Sequence, residues 1–233
     1  MNLKPQPRPH LEKIGKYSAG KSAKDFQKRE KSFLIKLSSN EATWGPSPQA
    51  IDALKREAFQ AHLYPDSQPL KLREALAEFT GVTADHILLG NGSNELIQFA
   101  LQAYVSPSEH ILVPELTFSM YRIYSQIMNI KVRTVPNRED FAIDLNAFKK
   151  RITSRTKVIF LISPNNPTGM ILDKMELELF LIGLDKRILV VMDEAYADFC
   201  ESSLKPDFSK MILSGKYPNV LVLRTFSKAF GLA

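Results

Sequence analysis

The sequence predicts an α/β protein, a three-layer αβα sandwich built on a mostly parallel sheet. Two observations carry this prediction. Short apolar runs rich in β-branched residues alternate along the chain with stretches whose apolar residues recur at helical spacing. The runs are apolar nearly throughout, which is typical of strands that are buried on both faces. Strands of that kind need helices on both sides of the sheet, so the expected architecture has three layers.

Six runs predict strands, and six helical patterns precede or separate them. The predicted strands are Ile87–Leu89, Ile111–Val113, Val132–Val135, Val158–Ile162, Ile188–Met192 and Val220–Leu223. The predicted helices are Gln49–Gln60, Leu70–Phe79, Asn94–Val105, Phe118–Met128, Leu145–Ile152 and Lys174–Leu184. Ligands of such sheets bind in the loops that follow the carboxyl ends of the strands. We therefore expect the functional residues just after the apolar runs.

Charge divides the 233-residue chain at residue 36. Residues 1–36 hold ten Lys or Arg against three acidic residues, a net charge of +7, so the remaining 197 residues sum to −1. We expect residues 1–36 to form a basic N-terminal arm, solvated or packed on a partner subunit, and residues 37–233 to form one large domain. We expect no nucleic-acid partner.

The composition excludes several classes of protein. The single cysteine, Cys200, cannot form an internal disulfide or a cysteine-based zinc site. The four histidines have no ligand-like spacing, so no metal is expected. The longest apolar runs reach about a third of the roughly 18 residues that a membrane span needs. The arm lacks the apolar core of a secretory signal, and we expect a cytoplasmic protein without membrane association.

The first candidate motif joins the predicted strand Ile87–Leu89 to a helix through Gly90–Glu95. Its glycines let the backbone approach a ligand closely, and Ser93 and Asn94 are expected to cap the helix. Free N–H groups at a helix start favour an anion such as phosphate. An ordinary capped helix after a tight turn explains the same residues.

Three further motifs follow predicted strands. Ser163–Gly169 is a polar loop stiffened by two prolines, in which Asn166 can donate a hydrogen bond. Asp193 follows a buried run directly, so it should be desolvated and in need of a cationic partner: a metal, a guanidinium or a protonated ring nitrogen. Tyr196 adds a phenol. Lys228, flanked by hydroxyl side chains, is a phosphate-binding charge, an imine-forming nucleophile or a plain surface lysine.

Together these motifs resemble those of the fold-type-I, class I/II pyridoxal-phosphate-dependent aminotransferases. The resemblance rests on Asn166–Gly169, Asp193–Tyr196 and Ser227–Gly231, which occur in the family's order and approximate spacing. Within the family, the sequence is most similar to the histidinol-phosphate aminotransferases. The segments that carry this similarity are Leu37–Glu41, Gly45–Pro48, Tyr64–Asp66, Leu72–Arg73, Gly92–Glu95 and Pro114–Tyr121.

The resemblance implies a role for each candidate residue. Lys228 would form the Schiff base with pyridoxal 5'-phosphate and move the substrate proton, while Asp193 would keep the pyridine nitrogen protonated. Asn166 and Tyr196 would bond the ring's phenolic oxygen, and Phe118 would stack on the ring. The cofactor phosphate would be held by Ser93, Asn94, Thr225, Ser227 and, from a second subunit, Tyr64. Tyr17 and Asn40 would contact the substrate.

The implied reaction moves an amino group from histidinol phosphate to 2-oxoglutarate in histidine biosynthesis, in a homodimer. Asn94 replaces the Asp that the family usually has, with little expected effect because Asn keeps the capping geometry. A phosphate-clamping arginine and a small C-terminal domain of the family are not in the sequence. We therefore expect a large domain that is incomplete at its C-terminal end and has little or no activity by itself.

Other functions remain open alternatives. Within the family they are another amino-acid aminotransferase, such as an aromatic one, or a threonine-phosphate decarboxylase. Gly15–Ser22 fits the phosphate-loop pattern of NTPases, but the charged, proline-containing residues before it are unlike the buried strand which such a loop requires. A third alternative is a non-catalytic protein that keeps the fold and binds a partner through the basic arm.

Overall fold

Five parallel strands form the centre of the molecule in the computed structural model, which describes residues 6–14 and 36–233. The strands are β1 (His110–Pro114), β2 (Lys131–Val135), β3 (Thr156–Ile162), β4 (Leu189–Asp193) and β5 (Val220–Leu223). Their order across the sheet is β2-β1-β3-β4-β5, and every neighbouring pair is parallel. The predicted parallel sheet is therefore confirmed.

Seven α-helices are described around this sheet. They are α1 (Pro48–Glu57), α2 (Leu70–Thr80), α3 (Gly92–Tyr104), α4 (Met120–Ile127), α5 (Leu145–Arg151), α6 (Lys174–Ile182) and α7 (Phe208–Leu213). Side chains cap the N-termini of several of these helices. Each of these side chains accepts a hydrogen bond from a backbone N–H of the first turn; they belong to Ser47, Asp144, Asp173 and Asp207. The first six helices correspond to the six predicted ones.

Alternate residues of each central strand pack on opposite sides, which makes three layers. On one side Ile159 and Leu161 join α5 and α6 through residues such as Phe148 and Phe180. On the other side Val158 and Phe160 join α3 and α4. Both clusters consist of buried side chains. Each face of the sheet is thus covered by helices, as the continuous apolar runs predict.

One predicted strand is wrong. Residues 87–89 are not part of any strand in the described chain, although Ile87 has an extended backbone. The side chain of Leu88 is 63% exposed, so this short apolar run is not buried between two layers. Helix α7 was not predicted, because its six residues are too few to establish a helical pattern.

The described part of the arm packs against α4. Pro9–Lys13 forms a 3-10 helix, and a ring nitrogen of His10 lies 3.1 Å from the backbone oxygen of Ile127 at the end of α4. Tyr17 and the phosphate-loop-like stretch 15–22 lie outside the described residues. Among the described residues, no helix is both long and apolar enough to cross a bilayer.

Candidate functional site

A pocket of about 520 Å³ opens at the carboxyl ends of the strands, where ligands of parallel sheets bind. Its walls come from the residues that follow β1, β3, β4 and β5, from the start of α3 and from the loop at 39–40. Ten of the twelve sequence-predicted site residues line it: Asn40, Ser93, Asn94, Phe118, Asn166, Asp193, Tyr196, Thr225, Ser227 and Lys228.

Asp193, the last residue of β4, lies buried at the bottom of this pocket. One carboxylate oxygen accepts a 2.7 Å hydrogen bond from the hydroxyl of Tyr121, and the other accepts a 2.9 Å bond from the backbone N–H of Ala195. Burial raises the pKa of Asp193, and these two donors only partly offset that effect. No lysine or arginine in the described ranges forms an ion pair with it. The carboxylate therefore still needs a cationic partner.

Tyr196 joins three segments of the site through its hydroxyl. This oxygen accepts a hydrogen bond from the amide of Asn166 at 3.2 Å and another from the amide of Asn40 at 3.1 Å. The ammonium of Lys228 lies 5.7 Å from the centre of the Tyr196 ring and donates a 3.4 Å hydrogen bond to the backbone oxygen of Asn40. The lysine, the phenol and the amides thus face the same space.

Asn166 is held in place by its buried neighbour Asn165. The amide of Asn165 donates to the backbone oxygen of Leu116 and to the hydroxyl of Thr168, each at 2.9 Å, and its own oxygen accepts from Thr117 at 3.3 Å. These bonds tie the loop after β3 to the segment after β1. One asparagine of the pair therefore fixes the loop, and the other faces the pocket.

Hydroxyl groups and a helix start form a cradle at one wall of the pocket. Thr225 donates a 2.9 Å hydrogen bond to the hydroxyl of Ser227. Gly92 opens α3 with a φ of +67°, and a Cβ at this position would lie 3.8 Å from the Thr225 hydroxyl. The helix start and these hydroxyls therefore adjoin each other in the wall of the pocket. The N–H groups of a helix start beside hydroxyl donors suit an anion.

The prediction that Ser93 and Asn94 cap α3 is wrong. The helix begins at Gly92, so Ser93 and Asn94 lie within its first turn, and the N-cap residue is Asn91. The Glu95 carboxylate accepts a 2.7 Å hydrogen bond from the backbone N–H of Asn91, the residue just before the helix. Ser93 and Asn94 therefore present their side chains to the pocket, which they both line.

Aromatic rings support the bottom of the pocket. Tyr121 stacks on Phe160 with ring centres 4.6 Å apart, and the edge of the pocket residue Phe118 meets Tyr121 at 5.6 Å. The sequence does not mark Tyr121 as a site residue, because it lies on the apolar face of a helix and is indistinguishable from a core residue. The sequence also does not mark the lining residues Ser39, Asn91, Ile162 and Ala195. Ser39, with a φ of 72°, is one of the few non-glycine residues with left-handed backbone.

One predicted site residue within the described ranges, Tyr64, is not brought into the pocket. The side chain of Tyr64 is 99% exposed. Tyr17 lies outside the described residues. Within the described ranges, no three His, Cys, Asp or Glu side chains are grouped so that they could hold a metal ion.

The fold is that of the pyridoxal-phosphate-dependent enzymes of the αβα type. More particularly, the chain belongs to the family described as "Aminotransferase class I and II", which matches residues 33–233. The chain is 40% identical over 200 residues to a histidinol-phosphate aminotransferase from Akkermansia muciniphila, an alignment covering 86% of this chain and 54% of that protein.

Two other relatives extend the comparison. A histidinol-phosphate aminotransferase from Moorella thermoacetica is 39% identical over 231 residues, which cover 98% of this chain and 59% of the relative. The crystal structure of histidinol-phosphate aminotransferase from Sinorhizobium meliloti in complex with pyridoxal-5'-phosphate superposes with a TM-score of 0.85 at 22% identity, covering 99% of this chain and 61% of that one. This second likeness establishes the fold. The chain spans little more than half the length of these relatives.

Proposed function

We propose that this chain carries the cofactor site of an aminotransferase that moves an amino group between histidinol phosphate and 2-oxoglutarate. One observation carries the proposal: Lys228 and the buried Asp193 line the same pocket, and the Asp193 carboxylate has no ion-pair partner among the described residues. Membership of the aminotransferase family supports the reaction, and curated relatives near 40% identity support the substrate.

The pocket fits pyridoxal 5'-phosphate at both ends. A buried carboxylate with no ion-pair partner in the described ranges suits a protonated ring nitrogen. The start of α3 at Gly92, beside the Thr225 and Ser227 hydroxyls in the pocket wall, suits a phosphate. When bound, this cofactor supplies a protonated ring that accepts the electron pair released as the substrate's carbon loses its proton.

Each protein group then has a definite task. Asp193 holds the proton on the ring nitrogen, because an anion beside it makes deprotonation unfavourable. Asn166 and the Tyr196 hydroxyl would donate to the ring's phenolic oxygen, while Ser93, Asn94, Thr225 and Ser227 would hold the phosphate. The Nζ atom of Lys228 would bind the cofactor and, once released, would move the proton from the substrate carbon to the cofactor. Phe118 would cover one face of the ring.

The partners that we propose are a small-molecule amino donor, a 2-oxo acid and a second copy of the chain. Tyr64 would cross to the other subunit and bond the cofactor phosphate there. Its complete exposure supports this, as do the neighbouring exposed side chains Leu54, Phe59 and Leu63, which a second copy would cover. Tyr17 and Asn40 would contact the substrate. We also propose a cytoplasmic location, the ordinary one for amino-acid biosynthesis.

Trapping of the cofactor tests the first part of the proposal. The purified chain is incubated with pyridoxal phosphate, reduced with borohydride and digested, and the modified lysine is identified by mass spectrometry. We expect one adduct, on Lys228, and none in Lys228→Ala. A Lys210→Ala variant, which changes an exposed lysine paired with Asp207 outside the pocket, is the matched control and should keep the adduct. No adduct, or one spread over surface lysines, would overturn the proposal.

Substrate choice is tested by comparing donors under the same conditions. Amino transfer to 2-oxoglutarate, which we expect to be weak in this chain, is measured with histidinol phosphate, an aromatic amino acid and threonine phosphate. We expect at least roughly tenfold greater kcat/KM with histidinol phosphate. Preference for the aromatic donor would assign another aminotransferase, and release of carbon dioxide from threonine phosphate would assign a decarboxylase.

A further inference from the structure

We infer that Tyr121 is a positioning residue for Asp193: its hydroxyl holds that carboxylate ionised and aimed into the pocket, and so keeps the proton on the ring nitrogen of the bound cofactor. The inference rests on the proposed function, because it concerns the same site. It adds a residue that lies below the pocket and does not line it.

The geometry makes the Tyr121 hydroxyl a fixed donor to Asp193. The two oxygens are 2.7 Å apart, both side chains are buried, and they lie on different elements, α4 and β4. Burial and the nearby carboxylate raise the pKa of Tyr121 well above its usual value, so the phenol keeps its proton throughout the working pH range. The carboxylate is therefore always the acceptor in this pair.

Packing prevents Tyr121 from turning away. Its ring stacks on Phe160 at 4.6 Å with an angle of 16° between the rings, and Phe118 closes its edge. Phe160 lies in the middle of β3, and all of its side chain is buried. The hydroxyl is consequently held against Asp193 by the core of the protein, and Asp193 cannot choose another rotamer without losing that bond.

The consequence for the cofactor follows from the position of one proton. In the pair formed by the ring nitrogen and the Asp193 carboxylate, the proton lies on whichever atom has the greater affinity for it. A hydrogen bond donated to the carboxylate stabilises its anion and lowers its proton affinity. The Tyr121 hydroxyl therefore shifts this proton towards the nitrogen, and removing the hydroxyl shifts it back towards the oxygen.

The test replaces the hydroxyl alone. Tyr121→Phe keeps the ring and its stacking, so the fold should be retained. The protein is loaded with cofactor carrying an isotopically labelled ring nitrogen, whose NMR shift reports protonation, and the shift is followed against pH. We expect the ring nitrogen of Tyr121→Phe to lose its proton about ten times more readily, a displacement of about one pH unit in the titration midpoint.

Tyr217→Phe is the matched control. Its hydroxyl also donates to a carboxylate, that of Glu178 at 3.2 Å, but Tyr217 packs in the cluster on the opposite side of the sheet. This variant should titrate like the wild type. In an Asp193→Asn background, Tyr121→Phe should cause no further shift, because its action passes through Asp193.

The outcomes separate this inference from the proposed function. If the wild type binds the cofactor with a protonated ring nitrogen and Tyr121→Phe titrates identically, the inference is overturned and the function stands. If the wild type does not bind the cofactor, the function falls, and with it the inference. An equal shift in Tyr217→Phe would show a general structural effect and would also overturn the inference.

Discussion

The side-chain amide of Asn40 donates a 3.1 Å hydrogen bond to the hydroxyl of Tyr196, which lies 156 positions further along the chain. The same oxygen accepts from Asn166 at 3.2 Å. A phenol oxygen has only two lone pairs, so both are used and its own hydrogen is left to be donated. The two amides thus orient Tyr196 as a donor towards a ligand. Asn40 was predicted to contact the substrate, and this bond gives it a second task.

Asn40→Ala should weaken cofactor binding by about fivefold, the effect of one lost neutral hydrogen bond of about 1 kcal/mol. The dissociation constant for pyridoxal phosphate, measured by equilibrium dialysis, checks this. The same substitution in a Tyr196→Phe background should have little effect, because that background has no hydroxyl for Asn40 to orient. An equally large loss of cofactor affinity in the Tyr196→Phe background would mean that Asn40 acts independently of Tyr196.

Asp193→Asn should slow amino transfer by about a hundredfold or more, since a neutral amide does not favour a protonated ring nitrogen. The defect is expected in kcat more than in KM, because the substrate does not touch Asp193. Single-turnover measurements on the loaded enzyme check this. Replacing Asp198, a carboxylate paired with Arg224 outside the pocket, by Asn provides the control. Equal defects in the two variants would contradict the assignment.

The stability of the protein should decline as pH rises from about 4.5 to about 7, because of Glu194. Burial raises the pKa of Glu194 from 4.5 to about 7, despite the attraction of Arg224 and Lys205, and Asp198 and Asp193 add repulsion. The folded state therefore binds this proton more tightly than the unfolded state does. The resulting stabilisation is fully present below the unfolded value and is lost as pH rises through the folded value.

Glu194→Gln removes this dependence. The variant should match the wild type in acid and exceed its free energy of unfolding above neutral pH, by at most about 3 kcal/mol. Urea denaturation in mildly acidic and mildly alkaline buffers measures the difference. Glu201→Gln, at an exposed position, should show no such divergence. Parallel curves for wild type and Glu194→Gln would refute the prediction.

Gly231→Ala should destabilise the protein and weaken cofactor binding together. Gly231 has a φ of +66°, and an added Cβ would stand 2.5 Å from the backbone oxygen of Gly45, so the backbone must move. Gly215 has the same φ with nothing within 4 Å, so Gly215→Ala isolates the backbone strain of about 1–2 kcal/mol. We expect Gly231→Ala to lose more free energy of unfolding than Gly215→Ala. We also expect only Gly231→Ala to bind the cofactor more weakly.

The sequence predicts this fold well where burial on two faces leaves a clear pattern. The runs Val158–Ile162 and Val220–Leu223 become strands because every residue has apolar neighbours on one side of the sheet or the other. Ile87–Leu89 has the same composition but Leu88 faces outwards, and composition alone does not encode a partner strand. Helix α7 is too short for periodicity to indicate it.

The candidate site was predictable for a different reason. Polar residues directly after buried strands, such as Asp193 and Asn166, contrast with what precedes them. Tyr121 gives no such contrast. A buried tyrosine on a helix shows the sequence pattern of a core residue, whether or not its hydroxyl has a functional role. Only its distance to Asp193 shows that role, and that distance depends on how α4 packs on β4.

Lys228 and Asn40 are in hydrogen-bond contact although 188 positions separate them, so the order of synthesis matters. A ribosome delivers the loop at 39–40 first and the lysine roughly 10 to 40 seconds later. Until then the growing chain has no complete pocket, and a ligand that stabilises only the finished pocket cannot guide the earlier folding steps. The sheet must therefore assemble through its own interactions, and pyridoxal phosphate can stabilise only a pocket that has already formed.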